Sequence, residues 1–285
     1  SAQRLNRTEK NQIKICGMKS RRLFIENTKK ATKKKKDLSL KINMAENIHE
    51  KKKEEWTNDK LLKRKWSIHR RIYQNTVTRY NYYYNAKRKY DDGIRSMKKS
   101  HKDDFAGSIS LLPYDVTKQG SSVASDMDTV IKKSSLSTQI HDPRSKWFDN
   151  LYFLMGRASF VKNDFDGAIE TFQFVANEYK NDGKKKTKTT DKSSKGNETA
   201  LTIATPDNRK GLRKFKHHPV RNEALIWLAK SYIMAEQYNE ANSLLSILES
   251  DKNFPVRNKA DLYLTKAYLN LEQKNIADAI PDLEL

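Results

Sequence analysis

The sequence predicts an all-α fold of stacked helical hairpins, and three observations carry that prediction. Apolar residues recur at helical spacing over stretches of 10–16 residues, separated by short Asn/Asp/Gln-rich joints. The 285 residues include only 9 Gly and 6 Pro, and no alternating apolar–polar run that would make a strand. At three places a small residue is followed twelve positions later by Ala, and four positions after that by a bulky apolar residue.

The elements follow in order, and charge marks where they begin. The chain holds 57 Lys/Arg and 35 Asp/Glu, a formal net charge of +22. Residues 1–75 hold 23 Lys/Arg against 8 Asp/Glu, residues 181–219 hold 11 against 4, and the remainder is balanced. That distribution excludes a folded domain coated in Lys/Arg. Residues 1–70, with runs such as Lys33–Lys36 and Lys51–Lys53, read as a basic and mostly disordered segment, because like charges repel and little apolar surface is there to bury. Residues 71–180 read as N-terminal helical hairpins and a first repeat. Ile72, Val77, Tyr80, Tyr84, Tyr90, Ile94 and Met97 mark a helix from Arg71 to about Lys99. A short helix over Asp103–Leu111 stops before Pro113, and Ser121–Ile140 forms another. Stronger periodicity covers Trp147–Val161 and Asp164–Tyr179. Residues 181–219 read as a disordered basic insertion, and 220–285 as further repeats over Val220–Ala235, Tyr238–Leu248, Val256–Leu271 and Ile276–Leu285.

The spacing of small residues identifies the repeat. Gly156, Ala168 and Phe172, then Ala229, Ala241 and Leu245, then Ala267, Ala279 and Leu283 form the tetratricopeptide pattern, in which small residues let two helices approach closely. Ala241 to Ala279 is 38 residues; Ala168 to Ala241 is 73, and without the 39-residue insertion 34, the length of the repeat unit. Ser159 and Asn270 depart from the pattern, where an aromatic is expected in the first helix.

A narrower resemblance lies upstream. The runs TVTRYNYYYNAKRKYDDGI (76–94), SHKDDFAGSISLLPYD (100–115), SDMDTVIKKSS (125–135) and KWFDNLYFLMGRASFVKNDFDGAIETF (146–172) resemble the SprE/PorW tetratricopeptide lipoproteins of gliding motility and type IX protein secretion in Bacteroidetes. The likeness covers roughly 71–180 and 220–285. It implies a non-catalytic protein–protein interaction scaffold at the periplasmic face of the outer membrane, whose partners are other protein components of that apparatus. It also implies an acylated Cys ahead of the Arg-Tyr-Asn segment. The only Cys is Cys16, and Lys14 in Ile13-Lys14-Ile15 contradicts a lipobox, which weighs against lipidation there. Such proteins are longer, so the array is expected to continue beyond 285.

No Gly-rich phosphate loop, Ser/His/Asp constellation or HExxH motif occurs, so neither an enzyme nor a cofactor or small-molecule substrate is expected. His217 and His218 are adjacent and lack further ligands at metal spacing. Asp126 and Asp128 are read as favouring the positive end of a helix, and Tyr80, Tyr82, Tyr83 and Tyr84 as packing residues. Stacked hairpins place their first helices on a concave side. The register assigned to that groove comprises Asn150, Phe153, Arg157 and Phe160 from the first repeat and Glu223, Ile226, Lys230 and Ile233 from the second. The basic segments suit contact with an anionic membrane surface. Lys outnumbers Arg in both segments, which favours a solvated or loosely electrostatic role. The competing reading is a basic tetratricopeptide adaptor that associates with nucleic acid or acidic partners; the periplasmic setting that the resemblance implies weighs against nucleic acid.

Overall fold

The computed structural model describes residues 58–102, 120–179, 203–205 and 217–284. The helix expected over 103–111, Cys16 and most of both basic segments lie outside these residues. Helix α1 spans Asp59–Leu62, and α2 (Ile68–Val77) runs through a π-helical segment, Thr78–Tyr83, into α3 (Tyr84–Ser100). A 3₁₀ turn at Gly120–Val123 leads into α4 (Ala124–Ile140). The chain continues with α5 (Phe148–Val161), α6 (Phe165–Glu178), α7 (Arg221–Met234) and α8 (Tyr238–Ser250). After a 3₁₀ turn at Val256–Asn258 come α9 (Lys259–Glu272) and α10 (Ile276–Leu283). Every described element is helical, and from α3 on each helix packs against its neighbours in sequence. In addition, α7 touches both α5 and α9, so alternate helices also meet.

Three hairpins, α5–α6, α7–α8 and α9–α10, close with the same backbone turn. Asn163, Glu236 and Lys274 adopt positive φ of 67°, 59° and 62°. At each turn the residue with positive φ donates its N–H three residues back, to Phe160, Ile233 and Leu271, at 2.9–3.0 Å. The following residue donates five back, from Asp164, Gln237 and Asn275 to Ser159, Tyr232 and Asn270, at 2.8–2.9 Å. That pair of bonds satisfies carbonyls left over at the helix end. Inside the first hairpin, Gly156 explains the close approach of the two helices. A Cβ there would lie 2.7 Å from the Phe172 ring.

The core is one continuous body along the hairpins. Phe148, Leu151, Tyr152, Phe172, Ile226, Leu245, Leu248 and Leu262 are among its fully enclosed side chains. A second cluster, with Ala86, Tyr90, Met97, Met127 and Val130, joins α3 and α4 to the other side of α5 through Leu154, Ala158 and Val161. Asp126 and Asp128 sit near the start of α4 and pair with Lys89 (2.9 Å) and Lys162 (2.7 Å).

Ordered structure reaches into both segments that composition assigned to disorder. Asp142, fully buried, receives Arg144 in a two-pronged pair at 2.8 Å on each oxygen and Arg70 at 3.2 Å. Arg144 also donates to the Leu61 and Arg64 carbonyls at 3.1 and 2.9 Å, so α1 is tied to the joint between α4 and α5. Burial alone would raise the Asp142 pKa, but the bonds and charges of Arg144 and Arg70 outweigh it and hold the carboxyl below its usual value. In the insertion, residues 203–205 form a clip. Ile203 and Ala204 donate their N–H groups to Asp251 Oδ2 at 2.8 and 2.7 Å, and Thr205 exchanges two bonds with Asn222. The buried Arg221 completes it by donating to the carbonyls of Ala176 and Ile203 and to the Thr205 hydroxyl.

Candidate partner-binding surface

Helix α7 sets the surface. Glu223, Trp227, Lys230 and Met234, spaced four, three and four, form its partly exposed stripe, and the residues between them are buried apart from Tyr232. Tyr232 instead accepts a bond from Gln173 of α6 at 2.8 Å. The structure divides the groove register read from the sequence on this helix. Glu223 and Lys230 belong to the stripe, whereas Ile226 (0% exposed) and Ile233 (2%) fill the core. One residue is 100° of helix rotation, so the two isoleucines point at the neighbouring helices. Trp227 and Met234 occupy the partly exposed positions that the register gave to Ile226 and Ile233.

Helix α5 needs a larger correction. Packing of α3 and α4 on one side and of α6 and α7 on the other encloses all of it except Arg157. Phe153 and Phe160 lie in the core, where Phe153 meets Phe172 and Phe160 meets Phe165 and Trp227 edge to face. Asn150 is also buried, but it lines a cavity.

Around Arg157 and that cavity, cations alternate with aromatic rings. Arg79, in the π-helical segment, sits 4.8 Å over the Trp147 ring, and Trp147 packs against Tyr83 at 5.2 Å. The guanidinium of Arg157 is stacked among Tyr90 (4.6 Å), Trp227 (4.9 Å) and Phe153 (5.7 Å). Lys230 approaches the same Trp227 ring at 5.0 Å while donating to Asp261 Oδ1 at 2.7 Å. Tyr83 links the two groups. Burial pushes its pKa up, the Arg157 charge lowers it, and Asp91, Asp149 and Glu223 raise it further. The field here is thus mixed, with carboxylates between the cations.

The cavity holds about 310 Å³ and is lined by Arg79, Tyr83, Trp147, Asn150, His217 and Glu223, with His218 and Val220 at its edge in the chain leading into α7. His217 Nε2 lies 2.9 Å from both Asp149 Oδ1 and Asn150 Oδ1, and its ring meets Trp147 edge to face. Two oxygen acceptors require the proton on Nε2. His217 therefore anchors the end of the insertion to α5. No protein-family model matches this chain, and a search of curated proteins finds no match.

Among the described residues no group of three or more His, Cys, Asp or Glu side chains is placed to hold a metal ion. No helix among them is long and apolar enough to cross a membrane. Sequence reasoning missed the cavity because its walls come from the π-helical segment, the start of α5 and the end of the insertion. Of its walls, the register read from the sequence named only Asn150 and Glu223. Of the tyrosine cluster, Tyr82 packs on His141 and Tyr83 on Trp147, while Tyr80 and Tyr84 are more than half exposed.

Proposed function

We propose that this chain is a non-catalytic protein–protein interaction scaffold built from tetratricopeptide hairpins. The reading extends to its setting: the type IX secretion and gliding machinery, at the periplasmic face of the outer membrane, with other protein components of that machinery as partners. Three equivalent hairpin turns and the buried small residues Ala168, Ala229, Ala241, Ala267 and Ala279 support the repeat. The setting rests on the resemblance of residues 76–172. The observation that carries the interaction role is the partly exposed stripe of α7 continued by Arg157 and the cavity beside Trp147. A peptide or helix of a partner lies along it.

The test is charge reversal, Arg157→Glu with Lys230→Glu, in cells that express the full chain. The wild type is expected to fractionate with the outer membrane and to cross-link to proteins of the machinery, and the double variant to lose those cross-links. Unchanged cross-linking to every such partner overturns the proposal. A second reading, an adaptor for nucleic acid, draws on the 23 Lys/Arg of residues 1–75. It calls for filter binding of the chain to nucleic acid at two salt concentrations, with a steep fall at the higher one.

A further inference from the structure

We infer that Arg157 is the seat for a single carboxylate of an extended polypeptide segment, and that the cavity beside Trp147 takes an apolar or aromatic side chain of the same segment; this rests on the scaffold reading above. The bonding state of Arg157 is the starting point. Neighbouring cations are engaged: Lys230 with Asp261, Lys89 with Asp126, Lys162 with Asp128 and Arg144 with Asp142. Among the described residues Arg157 has no carboxylate within ion-pair distance, and its buried Nε has no hydrogen-bond partner. Three rings compensate its charge through their faces. Stacking leaves the in-plane N–H donors unused, and a guanidinium carries five of them in a fork that matches a carboxylate. The buried Nε is out of reach of an incoming group, but Arg157 as a whole is only partly buried. A partner's carboxylate would therefore meet its terminal nitrogens, donors that the chain alone leaves without an acceptor among the described residues.

Charge around the site selects among anions. Asp261 is bound to Lys230, Glu223 lies on the same stripe, and Asp149 and Asp91 act on Tyr83. A nucleic acid, with a charge on every phosphate, would meet these carboxylates as well as Arg157. A polypeptide with a single well-placed carboxylate avoids them. Asn150 in the cavity wall and Arg157 are seven residues apart on α5, a rise of roughly 10 Å, which an extended chain spans in about three residues. The expected ligand thus carries Asp or Glu about three residues from an aromatic or long apolar side chain.

The experiment is fluorescence anisotropy of the full chain with a rhodamine-labelled Gly/Ser peptide that carries Asp and, three residues on, Phe. The same peptide with Asn for Asp and an oligo-dT strand serve as comparison probes. Because the chain is strongly basic, Arg157→Met is compared with Arg88→Met, which removes the same charge from an exposed position of α3. Arg157→Met and the Asp-to-Asn probe are each expected to weaken binding roughly tenfold, and together no further; Arg88→Met leaves it unchanged. Arg157→Lys, which keeps the charge and loses the fork, is expected to weaken binding too and decides the matter if Arg157→Met does not fold. Equal effects of Arg157→Met and Arg88→Met, no binding of the Asp peptide, or a larger loss for oligo-dT than for the peptide overturn the inference. If the peptide result is negative while the double charge reversal still abolishes cross-linking, the scaffold reading stands and this inference alone falls.

Discussion

Helices α5, α7 and α9 open the three hairpins with fourteen residues each, yet α5 buries thirteen of them, α7 nine and α9 four. The small-residue spacing is the same in all three, so the motif alone does not set how much each hairpin contributes. Neighbours do. Helix α5 is covered by α3 and α4 as well as by α6 and α7, whereas α10 leaves Ile276, Ile280 and Leu283 half or more exposed. Equivalent positions should therefore respond very differently to the same substitution. Phe172, Leu245 and Leu283 each follow the second small residue of their hairpin by four. Phe172→Ala, at a fully enclosed ring, is expected to cost about 3–5 kcal/mol, and Leu245→Ala about 2–5 kcal/mol. Leu283→Ala, 50% exposed, should cost less than about 1 kcal/mol. Urea unfolding of the three variants measures this, and equal losses would break the comparison.

The first two hairpins also share a device seen in no other described pair of hairpins: the 203–205 clip. Arg221→Met removes three bonds from a buried guanidinium and leaves the carbonyls of Ala176 and Ile203 without their donor. The expected loss is about 2–4 kcal/mol. Limited proteolysis reads it out locally, with faster cleavage near Ile203 in the variant. Cleavage there at the wild-type rate would mean that Asp251 and Asn222 hold the clip unaided.

Much of this was legible in the sequence, and the failures have physical causes. From α3 on, helices followed from periodicity because each has a buried side, and the hairpins followed from Gly156, Ala229 and Ala267. Helix α1 went unread, and in α2 the stripe residue Ile72 is exposed and only Gln74 is buried. The groove register missed on α5 because that helix is enclosed nearly all round, which erases the polar face that would have fixed its rotation. On α7 the partly exposed stripe carries Trp227 and Met234 beside its two charges, so apolar character did not mark the buried side. The clip was overlooked because the short apolar run Ala200-Leu201-Thr202-Ile203-Ala204 lies inside a basic tract, and what holds it, Arg221 and Asp251, is distant in sequence. The turn residues were invisible for a third reason: Asn163, Glu236 and Lys274 adopt a conformation that glycine ordinarily announces.

A smaller effect separates the α2–α4 end from the hairpins by pH. His141 is buried, donates through Nδ1 to Gln74 Oε1, which also accepts from the Asp142 N–H, and has no partner for Nε2. Burial pulls its pKa below 6.5. The unfolded chain then binds a proton that the folded chain does not, so stability falls as pH drops below 6.5. Asp142, also lowered, contributes stability that is present above 3.8 and lost below it, a separate and more acidic window. His141→Asn keeps a donor near Gln74 and should flatten the first window only. Denaturant midpoints measured from pH 7 to 5 check this; an unchanged slope in the variant would locate the titration elsewhere.

The smallest effects return to the three equivalent turns, where sequence differs most and backbone least. A left-handed conformation costs a residue with a side chain about 1–2 kcal/mol, while glycine pays about 0.4–1 kcal/mol through its freer unfolded chain. Replacing Glu236 or Lys274 by Gly should therefore stabilise by up to about 1 kcal/mol. Asn tolerates this conformation, so Asn163→Gly should give no gain. The readout differs along the chain because burial does. Glu236→Gly acts in the densely packed middle and should raise the global melting temperature. Lys274→Gly acts on the lightly buried α9–α10 pair and should appear first as slower amide exchange in α10. If Asn163→Gly stabilised as much as the other two, the turns would not be energetically equivalent, and the likeness of the hairpins would end at their backbone.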